Sequence, residues 1–280
     1  MAKTTIIERV QQRPHTVSEL SVALGVSWKT ADRYVDTLCR EEGLIGAHTF
    51  RSGTRGALKI VFWNAPSTGR SVTHDRIFRS LESGKRKEDF SPLDIFQYVS
   101  VDYKKLDLLT DSHTSSELFA RFIEPISKAQ NQVLVFSGNL SWLAADEKAS
   151  GIIKELFHRK VRVKILSRVE IPSMRNLETA YRIAGAGNDG LLEIRHMEQP
   201  LRGFVIDDSR VLLRETKEPG SYKPGELEGP MTVVYALWEP KWVAFCQKIF
   251  WQYWKDGFDA QKRLQNLPPV NLPGKPVQRL

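Results

Sequence analysis

Cysteine is nearly absent from this sequence, with two in 280 residues, Cys39 and Cys246. Neither has neighbours at metal-ligand spacing, and a structural disulfide between so isolated a pair is not expected. That excludes disulfide-stapled secreted scaffolds and cysteine-based zinc modules, and makes the cytoplasm the expected compartment. No apolar run approaches the ~20 residues of a spanning helix, and the N-terminus lacks a signal-peptide core. No membrane partner, cofactor or metal is therefore expected. Acidic residues are in deficit: 33 Asp and Glu face 41 Lys and Arg, a net charge of +8. A pI near 9.4 suits a polyanionic partner. A hydrophobic content of 41% is too high for a disordered chain, and 280 residues allow two ordinary domains.

The charge is unevenly spread. Residues 1–89 carry 15 basic against 10 acidic side chains, a net of +5. Residues 90–280 carry 26 against 23, a net of +3. The excess is denser where the most informative motif lies.

That motif runs from 16 to 63. Thr16 is a good N-cap, and Glu19 three residues on completes a capping box. Val17, Leu20 and Leu24 recur at helical spacing, and Gly25 fits the left-handed position past the helix end. Val26 plugs the turn and Ser27 caps a second helix. Ala31, Tyr34, Val35 and Leu38 face inward, leaving Trp28, Lys29, Asp32, Arg33, Asp36 and Thr37 outside. Past Gly43, residues 44–50 and 57–63 are strand-like, with Leu58, Ile60 and Phe62 alternating against Lys59, Val61 and Trp63. Arg51 and Arg55 flank the Gly-containing turn. This is the pattern of a winged helix-turn-helix, whose second helix enters the major groove of duplex DNA. The expected DNA-binding residues are Ser27, Trp28, Lys29, Thr30, Arg33, Arg51 and Arg55. Arg and Lys suit guanine edges, Thr30 a thymine methyl, and a wing arginine a minor groove or the backbone. An ordinary helical hairpin with a solvated face would share much of this pattern. Trp28 stacks on the wing or faces DNA, and Asp32 and Asp36 dilute the positive face.

Residues 64–90 read as a polar linker, with a short helix over 74–81 and the basic run Lys85-Arg86-Lys87. Ser91-Pro92-Leu93-Asp94 starts a helix. A second helix is expected over 115–129, kinked at Pro125. This 91–130 connector is a possible dimerisation surface. From 131 to 265 strands and helices alternate, which is the signature of an α/β unit with a mixed sheet. Strands are expected at 132–136, 161–166, 191–196, 203–207, 210–214 and 232–237. Pro240 opens an aromatic-rich helix. Residues 266–280 form a Pro-rich tail.

The stretch Pro200-Leu-Arg202-Gly-Phe-Val-Ile-Asp207 resembles the H-x-K-x-x-x-x-D motif of the phospholipase D superfamily. The strand and the Asp are kept. Pro200 stands at the His position, Arg202 at the Lys position, and Arg214 and Glu215 where the family has Gly-Ser. The family's chemistry uses that His as nucleophile, and proline has no such nitrogen. His196 lies four residues earlier, and His158 reads as a helix-end residue. Joined to the N-terminal motif, the chain resembles the archaeal TrmB-like transcriptional regulators. That resemblance implies a winged helix-turn-helix joined by a linker and helices to a catalytically silent, phospholipase D-like mixed-sheet domain. It also implies a dimer, double-stranded DNA as partner and a small-molecule or sugar effector. No catalytic residue is expected.

A ligand site is expected at the carboxyl ends of the first two sheet strands. Ser137, Gly138, Asn139 and Ser141 follow one, and Ser167 and Arg168 the other, while Arg202 offers an anion contact. The expected ligand set is Ser137, Asn139, Ser141, Arg168 and Arg202. Alternatively Asn139 and Ser141 cap a helix and Arg202 pairs with Asp207 or Glu215. Two other functional classes stay open: a diverged phosphodiesterase or nuclease targeted by the N-terminal motif, and a non-specific chromatin or interaction protein.

Overall fold

The structure, a computed structural model, describes residues 2–41, 45–51, 57–63, 70–109, 122–145, 147–185, 190–223 and 225–267. Two sheets organise them, one of three strands and one of eight.

The N-terminal unit begins with α1 (Ala2–Gln12), a helix the motif does not include. Ile6 and Val10, one turn apart, are both fully buried and give it an apolar stripe. Pro14 follows its end, as expected of a residue that cannot continue a helix. The two-residue strand β1 (His15–Thr16) leads into α2 (Val17–Leu24). The Thr16 hydroxyl accepts from the Glu19 amide at 3.0 Å, and the Glu19 carboxylate accepts from the Thr16 amide at 2.7 Å. Gly25 closes the helix at φ 63°. Helix α3 (Trp28–Glu41) buries Ala31, Val35 and Leu38 completely.

Strands β2 (Ile45–Arg51) and β3 (Ala57–Trp63) then form the expected antiparallel hairpin, Phe50 opposite Leu58. The sheet has three strands instead of two, because β1 takes the free edge of β3 with His15 opposite Val61. Successive side chains of β3 face two different cores. Val61 packs with Ile45 and the buried residues of α1, α2 and α3. Leu58, Ile60 and Phe62, with Phe50, join the core of the second sheet.

Helix α4 (Arg70–Ser83) is longer than the expected 74–81 segment. Ile77 and Leu81 bury one side of it in the same core, so part of the polar stretch is a packed brace. The helix beginning at Ser91-Pro92 is one turn, α5 (Leu93–Phe96), because the chain leaves for an extended strand, β4 (Lys104–Leu109), that was not expected. Of the helix expected over 115–129, residues 115–121 lie outside the described residues. Glu124–Lys128 is a 3-10 turn, fitting Pro125, which lacks the amide an α-helix would use.

The large unit then runs β5 (Gln132–Phe136), α6 (Ser141–Ala145), α7 (Glu147–His158), β6 (Arg162–Ser167), α8 (Met174–Ala184), β7 (Leu192–His196), β8 (Gly203–Ile206), β9 (Arg210–Lys217), β10 (Met231–Leu237), α9 (Pro240–Asp256), β11 (Phe258–Asp259) and α10 (Ala260–Gln265). Strand order is β11-β7-β6-β5-β8-β9-β10-β4. Strands β5, β6 and β7 are parallel. The other neighbours are antiparallel. The class is α/β with a mixed sheet, as expected. Helices α4, α5 and α9 cover one face of the sheet and α6, α7 and α8 the other. Val133, Leu134, Val135 and Phe136 are therefore all buried, which explains the uninterrupted apolar run of β5.

Candidate functional site

Two places gather polar side chains that the fold does not consume. The first is the outer face of α3. Ser27 caps this helix: its hydroxyl accepts from the Thr30 amide at 3.2 Å and lies 2.8 Å from the Thr30 hydroxyl. Both hydroxyls are thus engaged locally. Trp28, Lys29 and Arg33 are exposed. Trp28 is 42% exposed, and among the described residues no aromatic ring stacks on it. Ser27, Lys29, Thr30, Asp32, Arg33, Asp36 and Thr37 line one open concavity. Arg51 is placed by its backbone opposite Ala57. Arg55 lies outside the described residues.

Lys59, on β3, is the residue the motif did not single out. Its ammonium lies 2.7 Å from Asp32 and 2.6 Å from Asp36. Burial works against its charge, yet the hydrogen bonds and attraction of the two carboxylates raise its pKa above the ordinary lysine value. The two acids that dilute the face are therefore partly neutralised from behind. Only the spacing of Asp32 and Asp36, one helical turn apart, hints at this in sequence.

The second place is a cavity of about 70 Å³ at the carboxyl end of β5. Ser137, Asn139, Ser141 and Arg202 line it, joined by Gly138, Trp142, Phe122 and Arg214. Four of the five expected ligand residues thus meet. Arg168 does not line the cavity. It stands near enough to repel Arg202, and its Nε is buried without a hydrogen bond. Arg202 does not pair with Asp207 or Glu215: it donates to the carbonyls of Gln199 at 3.0 Å and Leu201 at 2.6 Å. Burial first, then the charges of Arg168 and Arg214, push its pKa down to about 10. Burial also lowers that of Arg214, whose guanidinium lies 5.5 Å from the Phe122 ring centroid.

The wall of this cavity is built closely. A Cβ on Gly138 would stand 2.9 Å from Arg202 Nε, so glycine permits the guanidinium to lie on the loop. A Cβ on Gly203 would overlap the Leu212 carbonyl oxygen. Leu140 sits at φ 62°, a left-handed conformation costly for a bulky residue. The buried Ser137 hydroxyl accepts from the Leu140 amide at 3.1 Å and from Trp142 Nε1 at 3.2 Å. Asn139 Oδ1 accepts from the Ser141 amide at 3.2 Å, so the side chain also holds the turn, as the capping alternative has it.

Around this cavity the residues resembling a catalytic motif have other employment. Pro200 is buried. The Asp207 carboxylate accepts from the amides of Gln130, Asn131 and Gln132 at 2.8–2.9 Å. His196 Nδ1 accepts from the Val169 amide at 2.9 Å, and burial, followed by Arg263, lowers its pKa. His158 ends α7. Among the described residues no cluster of His, Cys, Asp and Glu is arranged to hold a metal. No helix among them is long and apolar enough to cross a membrane.

No family model matches the chain. No curated protein matches it either. Solved structures do. The archaeal chromatin protein TrmBL2, whose structure is described as showing a novel mode of DNA binding, is 19% identical over 92% of this chain and 93% of its own, with a TM-score of 0.41. Nuc, a phospholipase D family member from Salmonella typhimurium, is 12% identical over 56% of this chain and 96% of its own, with a TM-score of 0.40. NucT from Helicobacter pylori is 13% identical over 56% of this chain and 99% of its own, with a TM-score of 0.39. At these identities and scores none of them assigns an activity to this chain.

Proposed function

We propose that this chain is a DNA-binding transcriptional regulator. Residues 1–63 are a winged helix-turn-helix that reads duplex DNA, and 64–90 and 91–130 connect it to a non-catalytic, phospholipase D-like unit over 131–265. That unit senses a ligand or mediates assembly into a dimer, and the protein works in the cytoplasm on the nucleoid.

The observation that carries this reading is the outer face of α3. It presents Trp28, Lys29 and Arg33 to solvent, while Lys59 restrains the two carboxylates beside them. Arg and Lys at the start of such a helix can meet guanine edges and phosphates at once. The net charge of +8 adds long-range attraction to a polyanion. Absence of turnover is supported by Pro200 at the nucleophile position and by the amide-bound state of Asp207 and His196.

The test is retention of sheared genomic DNA by the purified protein at near-physiological salt, with sequencing of what is kept. Enrichment of a shared site bears the reading out. Uniform retention replaces it with a chromatin-like role, and no retention removes DNA as the partner. Hydrolysis of the DNA during incubation, lost in His196→Ala, would establish a nuclease instead.

A further inference from the structure

We infer that the cavity between the β5–α6 turn and strands β8 and β9 is a binding site for a small tetrahedral oxyanion, held by Arg202, Arg214 and Ser137. The inference rests on the reading of the sheet unit as a ligand-binding unit, and not on the DNA reading.

Among the described residues the cavity is lined by the donors Arg202, Arg214, Ser137 and Trp142, with Phe122 and Phe204, and by no carboxylate. Arg202 spends Nη1 on two carbonyls, and its Nε and Nη2 edge lies against Gly138 at the cavity wall. Arg214 enters no ion pair among the described residues, and its guanidinium lies over the face of Phe122. Ser137 Oγ already accepts two hydrogen bonds, so its own hydrogen remains to be given. Arg202 feels the repulsion of Arg168 and Arg214 more than the attraction of Glu88, and a bound anion offsets that repulsion. Planar guanidinium forks bind phosphate-like groups through paired, charge-assisted hydrogen bonds. A cavity of about 70 Å³ is of the size of such an ion. The turn whose Asn139 and Ser141 line the cavity passes through the left-handed Leu140, and strain of this kind collects at binding sites. Without a nucleophile the group would be bound and not cleaved.

The experiment is calorimetric titration of the full-length protein with sodium phosphate, sodium sulfate and methyl phosphate, at constant ionic strength set by chloride. Wild type is expected to bind phosphate or sulfate saturably at one site per chain. Methyl phosphate binding as well makes the natural ligand an ester; its exclusion makes it the free ion. Arg214→Met is expected to lose at least about tenfold in affinity, the scale of one charge-assisted contact. It should melt no lower than wild type, because it removes a charge that repels Arg202. Arg202→Lys keeps a charge without the fork and should lose a similar factor. A doubly substituted Lys29→Ala, Arg33→Ala protein should bind the oxyanion as wild type does. No saturable binding in wild type overturns the site, as does binding unchanged in Arg214→Met and Arg202→Lys. Loss in the Lys29 and Arg33 variant would move the ion to α3 and overturn it too. Failure of DNA retention with oxyanion binding intact would remove only the DNA reading.

Discussion

Lys59 on the hairpin reaches 2.7 Å from Asp32 on α3, tying the strand to the helix that presents Lys29 and Arg33. Because the same ammonium also holds Asp36, replacing it with methionine frees two carboxylates on the proposed DNA face. We predict that Lys59→Met weakens DNA retention by roughly tenfold at low salt, with the loss shrinking as salt screens the freed charges. It should also cost about 1–3 kcal/mol of stability, as expected for charged hydrogen bonds lost from a partly buried site. Filter binding across a salt series, alongside thermal melts, measures both.

Arg33 and Lys29 are exposed on the same face and separate two kinds of contact. If Arg33 meets a base edge, Arg33→Ala costs about 1–3 kcal/mol at the enriched site and little elsewhere. A phosphate contact instead weakens all sequences alike and lowers the salt slope by about one. Binding to enriched and scrambled duplexes over a salt range decides between them.

Asp94 is shielded from water beside Glu215, and both effects, burial first, push its pKa up to about 6. The folded chain therefore favours the neutral acid. The cost of its charge is present above about pH 6 and is relieved as pH falls toward 3.8, the unfolded value. Asp94→Asn is predicted to stabilise the protein at pH 7.5 by up to ~3 kcal/mol, at about 1.4 kcal/mol per pKa unit. The gain should fade by about pH 4. Urea unfolding at several pH values checks the sign.

A fragment beginning at residue 64 loses Phe50, Leu58, Ile60 and Phe62 from the core that holds Ile77, Leu81 and Phe96. It also loses the ring of Phe62, which with Phe96 flanks the half-buried Lys104 ammonium at 5.3 and 4.8 Å. We expect this fragment to melt lower than the whole chain and to bind a hydrophobic dye, which fluorescence thermal scans would detect. A fragment as stable as the parent would show that the two units fold independently.

Local chemistry made much of this legible in sequence. The caps at Thr16, Glu19 and Gly25, and the apolar run of β5, act within a few residues and left plain signatures. Elements defined by distant partners did not. The strand character of His15 and Thr16 depends on Val61 and Ile60, and that of Lys104–Leu109 on β10. Arg202 illustrates the same limit in the candidate site. Asp207 was a reasonable partner by spacing, but its carboxylate is taken by three amides. Glu215 is on the opposite face of β9 from Arg214, where Ser91, Tyr235 and Lys217 hold it. Spacing named the side chains around the cavity, and only the pairing of strands decided which of them meet.

The turn at Asp207 bears on how such chains are recognised. Its carboxylate stitches the start of β5 to the end of β8, and the residue adopts φ 48° to do so. A carboxylate with that duty is demanded by the architecture whether or not a bond is ever broken nearby. Its presence in such a stretch therefore reports how the chain folds, and by itself carries no information about turnover.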